Sequence, residues 1–360
     1  MIFVHDNTES MAWSLNAKDL RLQGISGSDV TFTVLLDGET ATYFNLIPFN
    51  GVIRLSLRDL LEAILPQDSW INPMTSGLAV RGGGHQLLVS AQDNLGNSAS
   101  VSLTCFRGGI DENSGNSKRT QWLSWKPQVS QTFPWGRELL SLLLMPGYAS
   151  SQVAVTIYYL YHSPETVTLA SAPTVENGKP CIWTYDCSFE TIAALGRYSE
   201  EDTILAYDIT MGALPRRRFI LSLQDNRARE FLFVNSMGAM DSLFTTGEVT
   251  GEAESATSVS QIGHNEKEIS NTFVAKLKVS TGTIQREREI ANLFDFLRST
   301  ERYLLTPGDT ARRIVVDNIE TDLSFGQLSG ASFTFHMADG FTGGYYEDKN
   351  LGEYEFTSAE

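Results

Sequence analysis

Residues Arg216–Thr246, RRRFILSLQDNRAREFLFVNSMGAMDSLFTT, decide how the rest of the chain is read. A basic triplet leads into Phe219, Leu221 and Leu223, which alternate with Ile220, Ser222 and Gln224. A polar turn follows at Asp225–Ala228. The next run sets Phe231 and Phe233 on one face and Leu232 and Val234 on the other. Asn235-Ser236-Met237-Gly238 is a second turn signal, and Met240–Thr245 is a third short run. Period-two alternation, aromatic enrichment and Gly/Asn punctuation predict an antiparallel meander partly buried on both faces. None of its side chains forms a reactive constellation.

Outward from that stretch, 360 residues are too many for one ordinary core, so two or three domains are expected. A hydrophobic fraction of 42% is enough to fill such cores. The formal charge of −16 disfavours binding to a phosphate backbone or to anionic lipid. Cys105, Cys181 and Cys187 form no even framework and show no zinc-ligand spacing, so they read as buried free thiols. The N-terminus lacks the basic and apolar regions of a signal peptide, and no apolar run is long enough for a membrane helix. The expectation is a chain made in the cytoplasm that reaches the exterior only in an assembled particle or by lysis.

Residues 1–108 read as a β-sandwich. Val30–Leu36, the turn Asp37-Gly38 and Thr40–Leu46 form a hairpin, and Val52–Leu57 is a further strand. Asp59–Leu65 predicts a short helical turn; Gly77–Arg81 and Gln86–Ala91 flank a glycine triplet. Strands on either side of Asp93-Asn94-Leu95-Gly96-Asn97 close the domain. That last hairpin resembles the closing strands of bacterial immunoglobulin-like modules. Two readings apply to its loop: a turn in which Asp93 bonds its own backbone, or a calcium loop using Asp93, Asn94 and Asn97. Residues 109–118 are a polar, glycine-rich linker.

Residues 119–246 read as a second β-rich domain, with strands at Val153–Tyr161, Thr166–Leu169, Cys181–Tyr185 and Thr203–Thr210 and a brief helix at Phe189–Leu195. Trp122, Trp125 and Trp135 cluster at its start. They form either a sugar-stacking platform or a seam that buries the linker against the next domain. In residues 247–268, Glu248, Glu252, Glu254, Glu266 and Glu268 lie among small residues, as expected of an acidic arm or long loop. An arm of that length fits a reach across a neighbouring subunit. Residues 269–345 read as strand–helix–strand, the helix within Arg286–Leu305 and its apolar stripe at Ile290, Leu293, Phe294 and Leu297. Residues 346–360 form an acidic tail.

Chemistry is absent from the motifs. There is no Walker loop, strand-linked G-x-G-x-x-G, H-E-x-x-H or G-x-S-x-G. His5, His85, His162, His264 and His336 lie at unrelated spacings, and Glu200-Glu201-Asp202 reads as a charged loop before a strand. No catalytic, cofactor-binding or metal residue is assigned, no cofactor is expected, and the chain does not read as an enzyme.

Phe231–Thr246 with the following GEVTGEAE, and the unit RRIVVDNIETDLSFGQLSGASFTFHMADGF, resemble tail structural proteins of phages and prophages of Bacteroides-type bacteria. The resemblance implies a virion component that assembles into symmetric rings or sits at a tail tip or baseplate. It implies a mostly β fold: an N-terminal immunoglobulin-like sandwich, further β-rich domains, and a last, tail-tube-like antiparallel unit with one packed α-helix. Self-assembly and other tail proteins are the implied partners, without sequence-specific nucleic acid or membrane insertion. The basic runs Arg216-Arg217-Arg218 and Arg312-Arg313 read either as groups that meet a neighbour's acidic arm or as solvated strand ends. The alternative is a carbohydrate-binding or cell-surface adhesion protein of tandem β-sandwiches, whose partner is a host surface glycan.

Overall fold

In the computed structural model, most of the buried apolar side chains fall into three cores, each closed by its own sheets. The structure describes residues 1–5, 11–66, 79–82, 84–109, 121–146, 151–175, 179–196, 203–222, 228–262, 265–284, 286–306, 310–322 and 330–338. The fold is mostly β.

The first unit contains β1 (Ile2–Val4), β2 (Met11–Trp13), β3 (Leu20–Gln23), β4 (Val30–Leu36), β5 (Glu39–Leu46), β6 (Val52–Leu55), α1 (Leu57–Ile64), β7 (Ala79–Gly82), β8 (His85–Asp93) and β9 (Ser98–Phe106). Two sheets, β2-β9-β8-β4-β5 and β1-β3-β6, form a sandwich. Their alternating Val30, Phe32, Val34, Leu87 and Val89 meet Leu20, Leu22 and Ile53 in the core. The expected hairpin turn at Asp37-Gly38 is present, with both residues at positive φ. Ser56 caps α1 by accepting from the Asp59 N–H at 3.4 Å, and Leu57, Leu60 and Leu61 drop into the core.

One strand departs from the expected layout. β7 leaves the first sandwich and pairs antiparallel with residues 182–185 of the second unit. Its alternation is compatible with either sheet, because period two identifies a strand and says nothing of its neighbour.

The second unit contains β10 (Val129–Thr132), β11 (Leu139–Leu144), β12 (Val153–Tyr159), β13 (Glu165–Ala170), β14 (Cys181–Asp186), α2 (Phe189–Leu195), β15 (Ile204–Thr210) and β16 (Arg217–Leu221). The sheets β10-β16-β15-β12-β13 and β11-β14-β7 enclose Val155, Ile157, Tyr185, Tyr207, Ile209 and Phe219. Cys181 and Cys187 lie in this core and Cys105 in the first, all as free, buried thiols.

The third unit contains β17 (Arg229–Val234), β18 (Met240–Thr245), β19 (Val249–Ile262), β20 (Asn265–Ser280), α3 (Glu287–Arg298), β21 (Arg302–Thr306), β22 (Thr310–Asp322) and β23 (Gly330–Met337). They form one seven-stranded antiparallel sheet, β18-β17-β21-β22-β23-β20-β19, with α3 packed on it. Phe231, Phe233, Phe296, Phe333 and Phe335 make the centre of its core, with ring centroids 5.2–5.5 Å apart in five pairs. Edge-to-face and tilted pairs of this kind add about 0.5–1.5 kcal/mol each beyond their buried area.

The stretch Arg216–Thr246 is therefore no single meander. β16 belongs to the second unit, and β17 and β18 to the third, so the change of sheet falls between Leu221 and Arg229 and not at residue 246. Within β17 the two faces fall as expected. Phe231 and Phe233 enter the main core, while Leu232 and Val234 pack in a smaller cluster on the opposite face.

The helix is shorter than its apolar pattern allowed, because Arg302–Thr306 pairs as a strand with β17 and β22. Its stripe is also rotated. Phe296 is fully buried, whereas Phe294 stays 45% exposed. Residues 247–268 are not a loop: apart from 263–264, which lie outside the described residues, β19 and β20 run through 249–268 as paired strands. Residues 110–118 of the linker, the carboxylate run 200–202 and the tail 346–360 lie outside the described residues.

Candidate assembly surface

Among the described residues β20, at 16 residues, is the longest strand, and it pairs with β19 as a hairpin. Its register runs from Val249↔Val279 to Ile262↔Asn265, with one irregularity at Ser258/Val259. Among the described residues, β20 pairs with the rest of the sheet through Leu277–Ser280, opposite residues 332–335 of β23. Beyond Glu252↔Lys276 the ribbon is two strands wide among the described residues. At about 3.3 Å per residue, the eleven residues from Glu252 to Ile262 extend roughly 35 Å. Glu252 and Glu254 are carried on β19, and Glu266 and Glu268 on β20.

The base of the hairpin is tightly built. Thr246 and Gly247 donate to the Thr281 and Ser280 carbonyls at 3.2 Å each, and Thr281 N–H donates to Ala331 O at 2.8 Å. A side chain at Gly247 would come within 2.7 Å of the Ser280 backbone, so this close approach excludes other residues. The ribbon is thus anchored firmly at one end and has two open backbone edges along the rest. Isolated two-stranded ribbons are marginal in water, and open edges are templates for pairing.

A seam of apolar and charged groups couples that anchor to both sandwiches. Met11, Trp13 and Phe106 of the first unit meet Leu123, Leu143, Met145 and Ile182 of the second and Met237 and Ala239 of the third. Asn235 organises the expected turn: its Oδ1 accepts from the Met237 and Ala239 N–H groups at 3.0 Å, and its Nδ2 donates to Leu123 O at 2.8 Å. Ser236 O accepts from Gly109 N–H at 2.5 Å, tying down the exit of the first unit.

Beneath this turn lies a charged cluster that sequence reading passed over. Lys126 Nζ sits 2.6 Å from Glu138 Oε2, 2.5 Å from Ser242 Oγ and 3.7 Å from Asp241 Oδ1. Ser124 Oγ donates to Asp241 Oδ2 at 2.6 Å. Burial alone would lower the Lys126 pKa, but Glu138 and Asp241 outweigh it and hold the ammonium charged. Burial pushes the neighbouring Glu230 carboxyl well above the usual carboxylate range, against the Arg137 N–H that it accepts at 2.7 Å. The available signal was an Arg-Glu pair set at the head of an apolar run, as in Arg137-Glu138 before LLSLLL and Arg229-Glu230 before FLF.

The three tryptophans part company: Trp122 lies in the core of the second unit, Trp125 packs against the seam, and Trp135 is in neither. Trp122 is buried and donates to Pro215 O at 2.8 Å; Trp125 donates to Ser236 Oγ at 3.1 Å. Trp135 stacks on Phe133 at 5.2 Å and meets the edge of Phe244 at 6.0 Å, leaving it half-exposed.

The basic triplet is engaged inside the chain. Arg217 is buried and donates to the Lys126, Pro127 and Ser124 carbonyls, while Arg218 forks onto Asp208 at 2.6 and 2.8 Å. Arg216 stands 3.4 Å from the same carboxylate. At the Asp93 loop, Asn97 Nδ2 and the Leu95 and Asn97 N–H groups donate to the carboxylate at 2.8–3.1 Å. The Asn97 amide, with those N–H groups, holds the Asp93 pKa low. Those oxygens serve the turn, and Asn94 Oδ1 accepts from Ser28 N–H at 3.1 Å. Among the described residues, no cluster of three or more His, Cys, Asp or Glu is arranged to hold a metal, and no helix is long and apolar enough to cross a membrane.

No protein-family model and no curated protein matches the chain. Among solved structures, one from "Structural insight into host cell surface retention of a 1.5-MDa bacterial ice-binding adhesin" is 14% identical, with a TM-score of 0.16. That similarity covers 62% of this chain and 64% of the other, less than two thirds of its length. At that score it carries no argument about fold or function.

Proposed function

We propose that this chain is a structural component of a phage tail, at the tip, baseplate or a tube-associated ring, and acts by subunit–subunit assembly. The observation that supports this reading is the β19–β20 ribbon, extending roughly 35 Å on two open edges from a rigid base. A ribbon of that length gains stability when a second surface covers its edges. The seam supports the same reading, because it locks the ribbon's sheet to both sandwiches and so fixes the direction in which the arm points. Repeated around an axis, a fixed arm that meets its neighbour gives a closed ring. The virion is the corresponding location, and other tail proteins are the corresponding partners.

The carbohydrate-binding alternative drew on Trp122, Trp125 and Trp135. Trp122 is buried in the core of the second unit, Trp125 donates to Ser236 Oγ at the seam and Trp135 is stacked on Phe133, which leaves that reading with less support.

Mass photometry and negative-stain electron microscopy of the purified chain test the proposal. Discrete oligomers or rings are expected, and a variant with residues 254–273 replaced by Asn-Gly should be monomeric. A native chain that stays monomeric at every concentration, with or without its arm, overturns the reading.

A further inference from the structure

Between β5 and β6 the chain makes a turn that holds an aromatic ring out in water. Phe49 N–H donates to Val52 O at 3.0 Å and Val52 N–H donates to Phe49 O at 3.1 Å, with Asn50 and Gly51 between them at φ +51° and +73°. Asn followed by Gly, both at positive φ, is what the tightest two-residue turn requires. Gly51 O also accepts from Ile25 N–H at 3.2 Å, which pins the turn just past the end of β3. Phe49 is nevertheless 81% exposed, and Ile47 before it 83%. Large apolar side chains gathered on a surface in this way mark a contact site.

The same face carries a cationic couple. The register places Phe49, Val52, Gln23 and Ile2 in one row across the strands, and Arg54, Arg21 and Val4 in the next outward-facing row. Arg21 and Arg54 are direct partners and both are exposed. Among the described residues neither guanidinium makes an ion pair or a hydrogen bond. Like charges directly opposite one another on a ladder are destabilising. The chain has 43 Asp and Glu against 27 Lys and Arg, so acids to neutralise the couple were plentiful. A groove of about 610 Å³ opens here, lined in part by Arg21, Gln23, Ile47, Phe49, Asn50 and Arg54.

That lining selects its occupant. Direct partners on a ladder have Cβ atoms about 5 Å apart, so two guanidiniums side by side can fork onto one carboxylate. An anion held there also relieves their repulsion. One row away, about 7 Å along the strand, Phe49 offers an apolar ring, and the Gln23 and Asn50 amides can bond hydroxyls. A peptide strand cannot add along β6 at this point, because Phe49 already takes both main-chain groups of Val52. Recognition therefore falls to the side chains. We propose that this face of the first unit binds an acidic sugar, a pyranose bearing a carboxylate. Arg21 and Arg54 hold the carboxylate, Phe49 lies against the C–H face of the ring, and Gln23 and Asn50 meet its hydroxyls. The site shares no residue with Trp122, Trp125 and Trp135 and does not rest on the tail-assembly reading.

Calorimetric titration of the full chain tests it, with sialyllactose and trigalacturonate as probes and lactose and triglutamate as controls. At least one acidic sugar should bind with a Kd of about 1 mM or tighter. Lactose and triglutamate should bind at least about tenfold more weakly, one lacking the anion and the other the ring. R21Q/R54Q and F49S should each weaken that sugar by at least about tenfold. All three side chains are exposed, so the variants should fold; unchanged amide exchange in β4 and β8 confirms it. No binding of either acidic sugar, or affinity that survives in R21Q/R54Q or in F49S, overturns the proposal. So does a control bound as tightly as the acidic sugars; if that control is triglutamate, the face is a docking site for an acidic peptide.

Discussion

The Lys126 ammonium lies 2.6 Å from the Glu138 carboxylate inside the seam, with the two side chains 7% and 1% exposed. Asp241 shares the same cation, and the Phe244 ring faces it at 5.5 Å. Replacing a buried pair with apolar groups is often neutral, whereas removing one partner strands the other charge. K126M should therefore cost about 3–5 kcal/mol in denaturant unfolding. K126M/E138Q should recover at least about 1 kcal/mol of that loss. Additive losses in the double variant would show that the two groups are not coupled.

Gly238 stands at φ +74°, and a side chain there would overlap the Arg107 carbonyl. Gly108, at φ +92°, faces it across the same contact. G238A carries both a positive-φ penalty and a backbone collision, so it should cost more than about 1 kcal/mol. Exchange protection should fall first at the contact between Gly109 and Ser236. A melting temperature matching the native chain would refute this.

Burial raises the Asp295 carboxyl from its ordinary 3.8 to about 6, although the Ser236 N–H that it accepts at 3.0 Å opposes the shift. A carboxyl with a raised folded pKa binds its proton more tightly in the folded state. Its contribution therefore falls as pH climbs from about 4 through 6, by at most about 3 kcal/mol. D295N should be more stable than the native chain at pH 8, with the gap closing below pH 4. Asp37 and Asp208 shift the other way, with Gln86 and Arg218 overcoming the burial penalty, but they are common to both proteins and cancel in the comparison. Parallel stability–pH curves would refute the assignment.

Replacing residues 254–273 by a two-residue turn should leave the unfolding midpoint of the body within about 0.5 kcal/mol. The removed residues make their ladder contacts with one another, and β20 meets β23 only from Leu277 onward. A large loss of stability would mean that the ribbon folds back onto its own body.

The sequence pattern showed individual strands more clearly than their partners. Phe231 and Phe233 alternate with Leu232 and Val234, and the two faces are where that alternation puts them. The same alternation could not show that β16 and β17 belong to different sheets, because sheet membership depends on contacts far apart in the chain. Nor could it separate a hairpin from a loop in residues 247–268, where small and acidic residues hide the strand period. Phe294 fits the i+3/i+4 stripe as well as Phe296 does; only the docking of α3 on Phe231 and Phe233 selects Phe296. The charged cluster was least visible, since Lys126, Glu138 and Asp241 meet only when two sheets are already packed.

β7 is read from the first third of the chain but hydrogen-bonds to a strand from the middle third. A cut at residue 109 would thus yield no two clean halves. The front piece would trail an orphaned ribbon, and the rear piece would bare one side of residues 182–185. Neither sandwich is a detachable cassette. Attempts to transplant the front module alone should carry Ala79–Gly82 as a sticky flap unless that segment is trimmed away.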